Sequence, residues 1–362
     1  MSSTMGNKFK ITIFGESHGP AIGAVIDAPP AGFPIDFDKI MVDVNRRRPG
    51  TDKTATPRRE ADTPKVLSGL LNGVTTGAPL AIVIENTNTH SADYNELSAK
   101  PRPSHADYAA YVHYNGYNDV SGGGHFSGRL TAPLTVAGSI AKQILATKGI
   151  AIVGHVSNIG GITDKSLLNT TPNSNLISKL QSEYFSVIDD DVKIKMTEKI
   201  DSVRTVGDSI GGAVEVAVYG MPTGVGEPMF DGIENVIASA VFGVPAVKSV
   251  SFGLGQEFAT AKGSEVNDSM YYENDEVKCA TNNCGGITGG ISNGMPIIVS
   301  ATFKPTPSIS IEQKTVNLKT KENVNLSIKG RHDPCIVPRG LVAVESAVAI
   351  SILDLLMGET KL

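Results

Sequence analysis

Apolar and β-branched residues gather into short runs bounded by glycine, proline or charge. They predict strands over Lys8–Phe14, Ala21–Asp27, Ala78–Glu85, Ile150–His155, Ala213–Tyr219, Val247–Phe252 and Met295–Phe303. Helices are predicted where capping residues agree with a 3.6-residue period. One runs from Phe37 to Arg47, after Asp36 and before Pro49-Gly50. Another is GIENVIASAVFG, opened by a capping box of Asp231 and Glu234, and a third is VAVESAVAISILDLLMG, closed at Gly358 in C-cap style. A fourth begins near Arg129, behind a glycine-rich loop. Residues 165–204 are polar and lysine-rich and read as a peripheral helical excursion. Strands and helices do not alternate regularly, so the fold class is α+β rather than a doubly wound sheet. No GxGxxG lies between a strand and a helix, and GGITGG precedes a strand instead.

The 362 residues suffice for one large or two ordinary domains, and we read a single domain over 1–362. Cys279, Cys284 and Cys335 form neither a disulfide framework nor a CxxC pair, which suits a reducing compartment. No apolar run is expected to reach the roughly 18 residues of a membrane span, and the polar start MSSTMGNK lacks a signal-peptide core. A cytoplasmic protein with no membrane partner is the expectation. A net charge of −5 argues against a nucleic-acid binder, which would carry a broad basic field.

The arginines are segregated. Arg204 apart, they fall at Arg46, Arg47, Arg48, Arg58, Arg59, Arg102, Arg129, Arg331 and Arg339. Lysine carries the ordinary surface charge, so arginine is kept for places where a planar fork captures carboxylate or phosphate. NRRRPGTDKTATPRRE packs six basic residues into positions 46–59, a density that asks for a multiply charged anion or else a solvated basic loop. SGGGHFSGRLTAPL, from Ser121, offers backbone N–H groups where a loop enters a helix, a setting for an anion. NNCGGITGGISNG (282–294) uses glycine where something flat or bulky approaches the backbone. IFGESHG (13–19) places Ser17 and His18 between glycines, RPSHADY (102–108) sets His105 beside Arg102 and Asp107, and KGRHDPCIVPRG (329–340) carries Asp333. His18, His105 and Asp333 are therefore candidate proton-transfer groups. No HExxH, GxSxG or P-loop is present, and no metal site is expected. From these residues alone three readings stay open: an enzyme that moves protons on a multiply charged small molecule, a phosphatase with His18 as nucleophile, and a non-enzymatic module that binds an anion or a flat ligand.

FGESHG, NRRRPG, VLSGLLNGVTTGAPLAIVIENT, RPSHADY, SGGG..SGR.TA, GGITGGISNG, KPTPS and GRHDPC follow one another across nearly the whole chain. In this order they resemble the chorismate synthase family. The resemblance implies a homotetramer of β-α-β sandwich subunits and loss of phosphate from 5-enolpyruvylshikimate 3-phosphate by anti 1,4-elimination, giving chorismate. It also implies reduced FMN without net oxidation, with NADPH as a possible flavin reductant. Carried over motif by motif, His18 is the acid toward the leaving phosphate, His105 serves the flavin near N1, and Asp333 lies near N5. Ser17, Arg48, Arg129 and Arg331 hold substrate, while Arg47 and Lys53 match the nucleotide-reductant positions. FMN contacts fall at His125, Phe126, Ser127, Pro245, Ala246, Gly289, Lys304, Pro305, Thr306, Pro307, Ser308 and Arg331. Two departures stand out: His125 to Thr131 replaces the Arg-Ser-Ser-Ala-Arg-Glu-Thr of many members, and Lys53 stands in place of an arginine.

Overall fold

The computed structural model describes residues 3–49, 61–87, 99–328 and 333–358. Among them, one five-stranded sheet is built from β1 (Thr4–Met5), β2 (Lys10–Gly15), β3 (Ala21–Asp27), β4 (Lys65–Val66) and β5 (Leu80–Glu85), in the order β1-β2-β3-β5-β4. A second holds β6 (Ala151–Ile159), β7 (Ile162–Thr163), β8 (Gly212–Tyr219), β9 (Val247–Phe252) and β10 (Ile297–Phe303), in the order β9-β10-β8-β6-β7. Every pairing in both sheets is antiparallel. Apart from a single turn at Gly263–Val266, the α-helices among the described residues are α1 (Phe37–Arg47), α2 (Asp107–His113), α3 (Thr131–Ala146), α4 (Ser174–Ser182), α5 (Asp190–Thr205), α6 (Ile233–Phe242) and α7 (Val337–Gly358).

The two sheets sandwich a helical layer. Helix α3 packs on α7 and on β3 and β5 of the first sheet, while α7 packs on β6 and β8 of the second. Both helices are therefore covered nearly all round and need no polar stripe, which explains their apolar sequences. They also approach closely: a Cβ on Gly138 would lie 2.2 Å from Cβ of Ser346, so only glycine lets the backbones meet there. This is the expected α+β fold in its β-α-β sandwich form. Helices α4 and α5 occupy the lysine-rich stretch and pack against β6, with α5 also on β7.

Several boundaries differ from the sequence pattern, for physical reasons. Strand β2 starts at Lys10, not Lys8, because the Asp354 carboxylate on α7 accepts the N–H groups of Asn7, Lys8 and Phe9 at 2.8, 2.6 and 2.7 Å. Strand β6 continues four residues past His155 because β8 keeps pairing with it through Ile159, with a bulge between Ala213 and Val214. Asp231 does not cap α6. It sits in a 3-10 turn, and the helix is entered from Gly232 without a side-chain cap. Helix α7 starts at Val337 because Pro338 in a first turn sacrifices no helical hydrogen bond. The added residues overturn the expectation that no apolar run reaches spanning length. An 18-residue window of α7 has a mean hydropathy of 2.0, and 83% of it is buried inside the protein as the central layer.

Candidate active site

A cleft of about 550 Å³ opens where the ends of both sheets meet the start of α3 and α7. Arg47, Arg102, His105, Gly122, the segment 125–129, Pro245, Ala246, Lys304, Thr306, Pro307, Ser308, Asp333 and Arg339 line it. Among these described residues, five cations (Arg47, Arg102, Arg129, Lys304, Arg339) face one carboxylate, Asp333. The wall is built to attract anions.

The glycine run before α3 supplies one side. Gly122, Gly123 and Gly124 all have positive φ (61°, 86° and 52°), a backbone that residues with a Cβ avoid. The absence of side chains is equally used. A Cβ on Gly122 would fall 2.1 Å from the His18 ring, and one on Gly123 would fall 3.2 Å from the His105 ring. The run thus passes between the two histidines, and Ser17 N–H holds it by donating to the Gly124 carbonyl at 3.1 Å. His125 is bound by its neighbours: Nδ1 donates to the Gly15 carbonyl at 2.8 Å, so Nε2 accepts from the Ser3 hydroxyl at 2.7 Å. His125 is thus a strut joining the loop to β2.

His105 is oriented from behind. Asp107, at the first turn of α2, accepts Nδ1–H at 2.5 Å, and also accepts two bonds from the Arg102 guanidinium at 2.7 and 2.8 Å. Burial pushes the Asp107 carboxyl up, but the bonds from Arg102 and His105 outweigh it and hold the group well below the carboxylate range. An ionised Asp107 fixes the proton on Nδ1 and leaves Nε2 as the His105 atom available for exchange.

The arginine triplet is divided by the helix. Arg46 turns into the core, where Glu345 accepts from both its terminal nitrogens at 2.9 and 2.8 Å and Asp43 from one at 3.2 Å. Arg47 reaches the cleft wall, bonded to Asp62 Oδ2 at 2.7 Å, the Thr131 hydroxyl at 3.1 Å and the Gly128 carbonyl at 3.2 Å. Arg48 is half-buried and does not line the cleft. The three consecutive arginines therefore do not share one spot, because a rotation of about 100° per residue sends helical neighbours to different places. Arg129 donates to Asp62 Oδ1 at 2.5 Å and Asn86 Oδ1 at 2.8 Å. Arg339 bonds Asp333 and donates to the Arg47 carbonyl at 3.1 Å. Burial pushes Asp62 up, yet the charges of Arg47, Arg129 and Arg339 win and lower its pKa. Lys304 donates to the Ser104 carbonyl, and its pKa is lowered by burial and by Lys248.

Of the expected site residues, His105, His125, Phe126, Ser127, Arg129, Pro245, Ala246, Lys304, Thr306, Pro307, Ser308, Asp333 and Arg47 converge on this cleft. His18 and Ser17 lie against Gly122 without lining it, Pro305 is exposed beside it, and Gly289 sits at an exposed hairpin turn with open space around it. Lys53 and Arg331 lie outside the described residues. Sequence reasoning missed Asp62 and did not place Arg339 in the site. Clustering of arginine was the only available signal for the latter.

The chorismate synthase family matches residues 9–357. A chorismate synthase of Dehalococcoides mccartyi is 43% identical over 98% of this chain and 96% of its own length, and one of Methanobrevibacter smithii is 45% identical over 98% and 96%. A crystal structure of a chorismate synthase superposes with a TM-score of 0.77 at 28% identity, covering 98% of this chain and 93% of that one.

Proposed function

Because this chain belongs to the chorismate synthase family, we propose that its cleft converts 5-enolpyruvylshikimate 3-phosphate to chorismate by anti 1,4-elimination of phosphate, with reduced FMN bound and no net oxidation. What supports this reading is convergence. Residues from five separate motifs, NRRRPG, RPSHADY, SGGGHFSGR, KPTPS and GRHDPC, meet around one cation-rich cleft. A substrate with two carboxylates and a phosphate suits five cations facing one acid.

The lining also fits a flavin mononucleotide. Phe126, Pro245 and Ala246 offer apolar surface to a flat ring, while Lys304, Thr306 and Ser308 offer donors to a phosphate and hydroxyl chain. The Thr306 hydroxyl oxygen is buried without a hydrogen-bond partner, an orphan that a bound polar group would satisfy. His125, Phe126, Ser127, Pro245, Ala246, Lys304, Thr306, Pro307 and Ser308 would hold the cofactor, with Pro305 and Arg331 completing their motifs. Bound there in reduced form, FMN would supply electron density for cleavage of the allylic C–O bond with no net oxidation. Arg129, Arg102 and Lys304 bind and orient the anionic groups. His105 exchanges a proton at Nε2 while Asp107 keeps Nδ1 protonated, and His18 supplies a proton toward the leaving phosphate from its place against Gly122. Asp333, steered by Arg339, is the cleft's own carboxylate for moving a proton.

The proposal extends to a cytosolic homotetramer, and to NADPH as a flavin reductant, with Arg47 and Lys53 as the nucleotide contacts. Anaerobic mixing with NADPH and oxidised FMN, followed by flavin bleaching, tests that last step. For the reaction itself, one FMN per site reduced once by dithionite should support many turnovers, with phosphate equal to chorismate. Phosphate without chorismate would establish a phosphatase, and neither product a binding module. Arrest after one turnover, or equal activity with oxidised flavin, would refute the elimination.

A further inference from the structure

Asp62 does not line the cleft, yet it governs how two of the cleft's cations stand. Its side chain is shielded from solvent, one oxygen accepting from Arg47 at 2.7 Å and the other from Arg129 at 2.5 Å. Its backbone is left-handed, with φ at 50°, a conformation aspartate tolerates better than most residues but still at a cost. Each oxygen serves a different arginine, one from the end of α1 and one from the turn before α3, so the carboxylate sets the register between them. Other anchors, among them Thr131 and the Gly128 carbonyl for Arg47 and Asn86 for Arg129, hold each guanidinium from another side.

We propose that Asp62 is a positioning and specificity-determining residue. It orders Arg47 and Arg129 into one wall matched to a ligand with several anionic groups at fixed separations, and it cancels one positive charge so that the cleft attracts simple anions less. The inference rests on reading the cleft as a phosphate-and-carboxylate site. Removing the carboxylate has two effects of opposite sign. A neutral amide restores a positive charge, which strengthens attraction for any small anion. It also leaves two guanidinium groups without their shared acceptor, so a shaped polyanion loses its matched bonds. A residue with a purely structural role would weaken both kinds of ligand.

Calorimetric titration of the full chain without flavin separates these cases, using inorganic phosphate and 5-enolpyruvylshikimate 3-phosphate as the two probes. In Asp62→Asn, phosphate should bind about threefold or more tightly, while the substrate should bind about tenfold or more weakly. Asp62→Glu keeps the charge but moves it by one methylene, so phosphate affinity should stay native and substrate affinity should fall. If circular dichroism shows that Asp62→Asn does not fold, the glutamate variant carries the test. The proposal is overturned if both ligands move in the same direction in Asp62→Asn, if phosphate affinity does not rise there, or if the glutamate variant binds substrate as the native protein does. If the native protein without flavin binds phosphate but not the substrate, the substrate titration is repeated with oxidised FMN present, and failure to bind there would overturn the proposed reaction instead. Asp62 would then be judged on phosphate alone, a rise in Asp62→Asn supporting the assignment and no rise overturning it.

Discussion

Gly122→Ala separates backbone strain from catalytic placement. The new Cβ would be forced into φ of 61°, costing about 1–2 kcal/mol for an L-residue held left-handed. It would also stand 2.1 Å from Cε1 and Nδ1 of His18 and 2.9 Å from the Ser17 hydroxyl. Carbon contacts settle at about 3.5–4.0 Å, so the imidazole has to retreat by roughly 1.5 Å. A side-chain ring moves more cheaply than backbone, and the clash should therefore appear as displacement of His18 more than as unfolding. A misplacement of about 1 Å can cost about 10²-fold in rate. Gly123→Ala is the matched control: its φ of 86° carries the same strain, but its Cβ would lie 3.2–3.3 Å from the His105 ring, a contact small shifts relieve. Urea unfolding should show both variants less stable by about 1–2 kcal/mol with an unchanged slope. Turnover should fall about 10²-fold only in Gly122→Ala. Adding His18→Ala removes the clash, so the double variant should be no slower than His18→Ala alone. Equal activity in the two glycine variants, or a double variant as slow as the product of the singles, would refute the reasoning.

Arg129→Lys keeps the charge but loses the fork shared by Asp62 and Asn86, and substrate binding should weaken by about 1.5–3 kcal/mol per charged bond lost. The same change at Arg48, off the cleft wall, should cost less, and unchanged calorimetric affinity in Arg129→Lys would remove it from the site. His155, buried between Asp164 and Glu215 at 3.1 Å each, has burial lowering its pKa, but its hydrogen bonds to both carboxylates prevail and raise it. Its stabilisation is therefore complete below the ordinary histidine value of about 6.5 and lost as pH rises through the raised folded value. His155→Gln should cost about 3–5 kcal/mol at acidic pH and much less at alkaline pH, and a loss independent of pH in urea titrations would sink the assignment.

Much of the architecture was legible along the chain because strand and helix periods are local. Leu80, Ile82 and Ile84 bury alternate positions of β5 as their pattern indicates, and Asp36 caps α1 with its own side chain. Ordered motifs likewise placed His105, Lys304 and Asp333 in one site although about 200 residues separate the first two. The partnerships were not legible. Arg46 and Arg47 are adjacent and identical as letters, yet one pairs with Glu345, 299 positions away, and the other walls the cleft. Nothing around Asp62 in the sequence indicates that Arg47 and Arg129 divide its two oxygens. Likewise β2 begins where it does because a carboxylate on the last helix takes the preceding N–H groups. Local propensity and apolar period decide which segments become strands and helices, since each residue answers to neighbours within a turn or two. Which charge meets which is decided only when the helical layer closes between the sheets, because a buried ion is stable solely beside the partner that folding delivers.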